Sequence, residues 1–282
     1  MDVESPDTTT HKTHMEQLAS FDRDLTFVPV VNTRPQVLTP QQIDLYNERG
    51  VLFPVTSFDH EAAAANRAYF DALIANVQAT EKDVNSIHGH HVRCRGLYDL
   101  CVAPQIVALV KDLLGPDVIC WGTHYFCKLA GDEKEVSWHQ DGTYWPFDKS
   151  RTVTAWLAID DSDTQNGAMR VIPSTHRMGA FTTRVSTDGE RNVLDDVVPD
   201  AQKYGEPVDL ELKAGQVSLH SDMLLHGSRP NRSDRRRCGL TLRYCPPDVR
   251  ALTGWNRGSI WAAGTDPSGH WANVPRPTGE NP

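Results

Sequence analysis

The sequence predicts a mainly β protein, a sandwich or barrel with helices packed outside it. Two observations carry this. Helical periodicity with matching cap residues is confined to the part before residue 116, whereas from residue 118 the chain breaks into short β-branched and aromatic runs punctuated by Gly, Pro, Asn and Asp. No helical run separates these later segments, so they are expected to pair with one another rather than to form alternating βα units.

The helices come first. Thr39 is the N-cap of "LTPQQIDLYNERG", with Pro40 at the first helical position and Gly50 at the close. Two more are "DHEAAAANRAYFDALIANV", from Asp59, and "APQIVALVKDLLG", opened by Pro104 and stopped by Gly115. Each spaces Leu, Ile, Val or aromatic residues so that one stripe packs on a neighbour. Strands are expected at "VICWGTHYFCKLA", "TVTAWLAID", "AMRVIP", "PVDLELK", "QVSLHS" and "CGLTLRYCP". The tail from residue 250, rich in Gly and Pro and holding three Trp, is expected to form a long ordered loop of the kind that closes a site. The polar head, residues 1–20, is expected to be disordered. That leaves one domain over 21–282: helices within 39–115, a β core over 118–247, and a loop or lid over 248–282.

Charge and cysteine usage narrow the class. A formal net charge of -9 argues against nucleic acid or an anionic membrane as the main partner. The six cysteines include no C-x2-C pair and are expected to be buried thiols in a reducing compartment. The sequence shows neither the apolar core of a signal peptide nor a membrane-length apolar run, and "GENP" is no peroxisomal signal. A cytoplasmic protein with a small-molecule substrate is expected, with homodimer formation left open.

His-x-Asp occurs twice, in "VSWHQDGTYW" and in "LHSDMLLHGS", and chance alone supplies about one in a chain of this composition. On a strand, residues i and i+2 share a face, so His139 and Asp141 can offer an imidazole and a carboxylate to one point. Facial coordination of Fe(II) needs a third ligand, commonly a second His, with the opposite face open. His226, which starts a strand near the basic run at 235–237, suits that role. The rival trio His220, Asp222 and His226 is packed into one short stretch that suits a helix or tight loop, and it leaves "HQDGTYW" unexplained.

Three separated motifs, "HQDGTYW", "NGAMRVIPSTHR" and "GQVSLHSDMLLHGSRPNRSDRRRCGLTLRY", stand in the order found in the phytanoyl-CoA dioxygenase family of Fe(II)- and 2-oxoglutarate-dependent oxygenases. With "LTPQQIDLYNERGVLFPV", the resemblance runs from about Leu38 to Pro247. It implies a double-stranded β-helix (jelly-roll, cupin-like) barrel that uses Fe(II), 2-oxoglutarate as cosubstrate, and dioxygen. By position, His139, Asp141 and His226 match the iron ligands. Arg237 matches the arginine that pairs with the far carboxylate of 2-oxoglutarate, and Ser228 a hydroxyl donor to the same group. Gln140 and Trp156 match further cosubstrate contacts. A planar guanidinium suits this task better than an ammonium because it forms a bidentate fork with a carboxylate. Arg235 and Arg236 are expected to be exposed.

Spacing adds lower-ranked positions. Thr154 shares a strand face with Trp156, and His124 and Lys128 alternate onto one face of the strand before the first motif. Tyr144, Trp145, Phe147, Trp255, Trp261 and Trp271 are available as aromatic walls, His220 as a neighbour of the metal, and Arg257 and Arg276 as contacts for an anionic group. The implied reaction couples conversion of 2-oxoglutarate to succinate and carbon dioxide with hydroxylation of an unactivated C–H bond. Halogenating relatives lack the carboxylate ligand, so Asp141 favours hydroxylation. With no Lys/Arg cluster suited to the phosphates of an acyl-CoA, a small free metabolite is expected. A non-catalytic 2-oxoglutarate-binding barrel or sensor, or a zinc hydrolase, is the alternative.

Overall fold

Ordered structure begins further towards the N-terminus than the composition suggests. The computed structural model describes residues 8–78 and 87–282, and its first element is α1 (Thr8–Ala19). Within the head expected to be disordered over 1–20, residues 8–19 are thus placed as a helix, and residues 1–7 lie outside the described residues. The reason is anchoring: Leu18 is buried at 1% exposure, and His14 Nε2 donates to the Tyr144 carbonyl at 3.0 Å. One fully buried Leu contributes roughly 2 kcal/mol.

Helix α2 (Pro40–Arg49) starts where its cap residues place it. Thr39 Oγ1 accepts from Gln42 N at 3.2 Å and Gln42 Oε1 accepts from Thr39 N at 2.8 Å, which satisfies two donors near the first turn. Gly50 ends the helix at a φ of 76°, and a side chain there would also strike His176. Then come β1 (Val51–Thr56), α3 (His60–Gln78), α4 (Arg95–Cys101) and α5 (Pro104–Leu114). On α5, Ile106, Val107, Leu109, Val110 and Leu113 are buried, the three-and-four spacing of a packed face. Its Asp112 carboxylate accepts from the backbone N–H groups of Gln36, Val37 and Leu38 at 2.7–2.8 Å, which pins the segment leading into α2.

The strands are β2 (Val118–Lys128), β3 (Val136–His139), β4 (Val153–Ala158), β5 (Met169–Val171), β6 (Arg184–Val185), β7 (Asp196–Val197), β8 (Val208–Asp209), β9 (Gln216–Ser221), β10 (His226–Ser228), β11 (Arg237–Cys245) and β12 (Ile260–Ala263). They form an antiparallel six-stranded sheet, β1-β9-β4-β11-β2-β12, an antiparallel four-stranded sheet, β3-β10-β5-β8, and a β6-β7 ribbon. Alternation along β11 divides its work. Cys238, Leu240, Leu242 and Tyr244 join Phe70, Leu73, Leu97 and Ile106 in the core between helices and sheet, while Arg237, Thr241 and Arg243 face a cavity on the other side.

The tail is more regular than the expected loop. After a 3-10 turn at Trp255–Gly258, β12 pairs with β2 and covers the edge of the large sheet. Trp271 packs with Trp121, Trp145 and Phe147, and its Nε1 donates to the Val249 carbonyl at 3.0 Å. All six cysteines are free and buried, as the sequence suggests. No helix among the described residues is long and apolar enough to cross a membrane.

Candidate active site

Strand β3 stops at His139, and the single helical turn α6 (Asp141–Tyr144) begins two residues later. The expectation that His139 and Asp141 share a strand face is thus corrected: a bend, not a pleat, brings them together. Gly142 makes the bend possible, since its N–H donates to the Asp222 carbonyl at 2.8 Å and a side chain there would meet the Met223 sulfur. His139 Nε2 ends 3.7 Å from Asp141 Oδ1. Across the small sheet, His226 is the register partner of His139, and its Nε2 lies 3.9 Å from Asp141 Oδ2.

One ligand atom from each of the three residues lies within 4.8 Å of the others. Both imidazoles are oriented through the ring nitrogen that faces away from the cluster. His139 Nδ1 donates to the Ser137 carbonyl at 2.8 Å and His226 Nδ1 to the Leu224 carbonyl at 2.9 Å, which leaves each Nε2 to present its lone pair inward. Burial, reinforced by His139, pushes His226 well below its usual pKa. Burial alone would raise Asp141, but the neighbouring His139, His226 and Arg243 outweigh it and hold the carboxyl well below its usual range. Two neutral imidazoles and one carboxylate are the donor set that a divalent metal ion takes.

The cluster opens into a cavity of about 570 Å³ between the two sheets, a size suited to small ligands. Eleven of the nineteen positions singled out from the sequence line it: His139, Asp141, His226, Arg237, Ser228, Trp156, His124, Tyr144, Trp145, His220 and Trp255. Arg237 is 3% exposed, donates to the Phe126 carbonyl at 3.3 Å, and has no carboxylate in salt-bridge reach among the described residues. Its guanidinium sits 5.7 Å from the centre of the Trp156 ring. Gly239 makes room for that ring, because any Cβ there would run into the indole. Ser228 Oγ is buried without a hydrogen-bond partner, as is Arg237 Nε. Buried polar atoms left over in this way fit a site built for an anionic ligand.

Of the rest, Phe147, Trp261 and Trp271 pack in an aromatic cluster outside the cavity lining, and the others are corrected. Gln140 points away from the cavity, as a residue between two inward-facing neighbours must: its Nε2 donates to the carbonyls of Gly179 at 2.9 Å and Met223 at 2.7 Å, and its Oε1 accepts from Phe181 N at 2.8 Å. Thr154 is fully buried opposite His220 and Arg243, whose longer side chains reach the cavity in its place. Lys128 is a strut, with Nζ donating at 2.7 Å to the carbonyls of Lys134 and Arg229; burial, with Arg237 beside it, pushes its pKa down to about 7. Arg257 is exposed, because the turn that aims Trp255 at the cavity aims Arg257 at solvent. Nearby, Arg276 pairs with Asp99, and Arg236, expected to be exposed, is half-buried against Asp160.

The second His-x-Asp is split by the end of β9, with His220 in the strand and Asp222 just past it. His220 packs 5.1 Å from the His226 ring, and burial pushes its pKa down to about 4. Asp222 turns away and accepts from Ser150 Oγ at 2.7 Å and Thr152 N at 3.3 Å. The rival trio is therefore not assembled. The cavity also includes residues that the sequence reading passed over, chiefly Phe126, Thr241 and Arg243. Counting by twos along β11 from Arg237 would have found the last two.

A model of the phytanoyl-CoA dioxygenase (PhyH) family matches residues 22–239. A Stutzerimonas stutzeri protein named as a probable alpha-ketoglutarate-dependent hypophosphite dioxygenase is 27% identical over 184 residues, 62% of this chain and 62% of its own. Peroxisomal phytanoyl-CoA dioxygenase from Bos taurus is 28% identical over 154 residues, 52% of this chain and 45% of its own. The chain thus spans between about half and three-fifths of the length of these relatives. The fold is similar to that of the solved apo structure of the non-heme monooxygenase ThoJ, with a TM-score of 0.71 and 26% identity over 84% of this chain and 88% of that one. With the family's motifs converging on one cavity and its model matching most of the sequence, the chain belongs to the phytanoyl-CoA dioxygenase family.

Proposed function

We propose that the protein is an Fe(II)- and 2-oxoglutarate-dependent dioxygenase, built on a jelly-roll barrel, that hydroxylates an unactivated C–H bond of a small molecule. One observation carries this reading. A two-histidine, one-carboxylate cluster shares its cavity with a buried guanidinium, that of Arg237, which has no carboxylate partner among the described residues. The alpha-ketoglutarate dependence in the name of the Stutzerimonas relative points the same way.

His139, Asp141 and His226 would hold the iron and leave the opposite face open. Arg237 would take the far carboxylate of 2-oxoglutarate bidentately, with the Ser228 hydroxyl donating to it and Trp156 walling the pocket. Bound iron, with 2-oxoglutarate and dioxygen, supplies the oxidising power that turns C–H into C–OH as the cosubstrate becomes succinate and carbon dioxide. The protein's own contribution is position and dryness. Carbonyl-anchored imidazoles keep their lone pairs aimed, Asp141 stays ionised, and Phe126, Trp145 and Trp156 exclude water from the space between the metal ligands and Arg237.

The test is succinate formation by protein loaded anaerobically with iron, then given 2-oxoglutarate, dioxygen and a panel of small amines, phosphonates, amino acids and acyl-CoAs. Succinate should rise with one class and match hydroxylated product, and zinc-loaded protein should be inert. Bound iron and 2-oxoglutarate with no succinate from any member would make the protein a ligand-binding barrel instead.

A further inference from the structure

We propose that Arg243 is a substrate-recognition residue, and that the substrate carries a compact oxyanion, a carboxylate or phosphonate, which this guanidinium binds. The inference rests on the oxygenase reading and names the substrate class of the same cavity.

Arg243 lies on the same cavity-facing side of β11 as Arg237. Six residues of strand separate the two α-carbons by roughly 20 Å, so a short dicarboxylate anchored at Arg237 does not extend to Arg243. The two arginines also differ in what they face. Asp141 feels the charge of Arg243, which places that guanidinium towards the metal-ligand end, although the two form no ion pair. Among the described residues Arg243 has no hydrogen bond or salt bridge, and its Nε is buried without a partner.

Aromatic rings hold Arg243 in the place of a counter-ion. Its guanidinium carbon lies 5.3 Å from the Trp145 ring centre and 5.7 Å from that of Trp121. Those two indoles meet edge to face at 4.6 Å, and Trp255, 40% exposed, continues the wall at 5.8 Å from Trp121. Gly122, opposite Arg243 on β2, leaves space beside the side chain; a Cβ there would lie 3.9 Å from Arg243 Cδ. Arg243 is half-buried, and holding its unpaired guanidinium partly out of water is costly; a ligand that supplies the missing charge removes that cost. Asp141 cannot do so while it serves the metal. A planar fork between indoles therefore selects an oxyanion on an organic body, and it disfavours a quaternary ammonium, which the aromatic walls alone would accept.

The test uses intact protein saturated with 2-oxoglutarate and loaded with Ni(II) to prevent turnover. Calorimetric and tryptophan-fluorescence titrations compare 3-phenylpropionate, 2-phenylethylphosphonate, neutral 3-phenylpropionamide and phenethyltrimethylammonium. At least one of the two anions should bind about tenfold or more tighter than the amide and the ammonium; which anion wins identifies the head group. Arg243→Gln should erase that preference and leave 2-oxoglutarate affinity unchanged. Arg243→Lys, which keeps the charge, should retain part of it, and Arg237→Gln should do the reverse of Arg243→Gln. Equal binding of anion and amide by the unmodified protein would overturn the proposal without recourse to any variant. So would displacement of 2-oxoglutarate by the anions, or a loss of Ni(II) affinity in Arg243→Gln in place of lost anion preference. Failure of 2-oxoglutarate to bind the unmodified protein would sink the oxygenase reading instead, and the anion titrations without it would still score Arg243.

Discussion

At the scale of single residues, what decides function is which buried polar groups are already satisfied. Arg237 is not, so Arg237→Ala is expected to weaken 2-oxoglutarate by roughly 2–4 kcal/mol, because it removes the guanidinium proposed to take the far carboxylate. Equilibrium titration of 2-oxoglutarate reads this directly, and an unchanged affinity would show that the anchor lies elsewhere. Gln140 is fully satisfied, and the opposite follows. Gln140→Ala should cost about 2–4 kcal/mol in urea unfolding, since it strands two carbonyls and one N–H, while folded protein keeps its cosubstrate affinity. The contrast explains what was legible in the sequence. Residue types and order singled out His139, Asp141, His226 and Arg237, because the chemistry demands those groups. Nothing local could show that Gln140 is turned into the protein or that Lys128 is tied to two carbonyls, since both outcomes depend on segments distant in sequence.

At the scale of elements, the ligand set depends on how β10 lies against β3. Gly227 sits between His226 and Ser228, and a Cβ there would come within 2.7 Å of the Val136 carbonyl oxygen. Gly227→Ala is therefore expected to push the two strands apart and weaken metal binding at least tenfold, about 1.4 kcal/mol or more, with a smaller effect on thermal stability. Metal titration followed by circular dichroism separates the two effects. The packing of α2 against the turn at Thr175–Arg177 gives a pH dependence. Burial pushes His176 from 6.5 down to about 4, so the folded ring binds its proton less readily than the unfolded one. The stabilisation is then complete above pH 6.5 and is lost as pH falls towards 4, on the order of 3 kcal/mol across that window. Urea midpoints from pH 7.5 to 4 should fall more steeply for the unmodified chain than for His176→Gln, and parallel profiles would refute the assignment. The helices were readable because caps and stripes are local signals; Thr39 and Gly50 bound α2 where the residues say they should. The bend from β3 into α6 was not, because packing against Met223 and the Asp222 carbonyl imposes it on a segment that reads as a continuous strand.

At the scale of the whole molecule, the two sheets are joined through the cavity they share, so filling it should stabilise everything around it. Iron and 2-oxoglutarate, each at about a hundredfold excess over its dissociation constant, are each expected to raise stability by roughly 2.7 kcal/mol. Anaerobic thermal melts with and without them measure this, and Asp141→Ala should abolish the iron increment. An increment that survives in that variant would move the metal to another cluster. The burial of all six thiols at every level of the core has a practical consequence. In the native state the chain is silent to alkylating reagents, so each labelled molecule records an opening event, and the labelling rate becomes a clock for fluctuations of the core. A single cysteine introduced at Val31, 89% exposed, would then be the sole reactive handle, ready to carry a spectroscopic probe on the face outside the cavity.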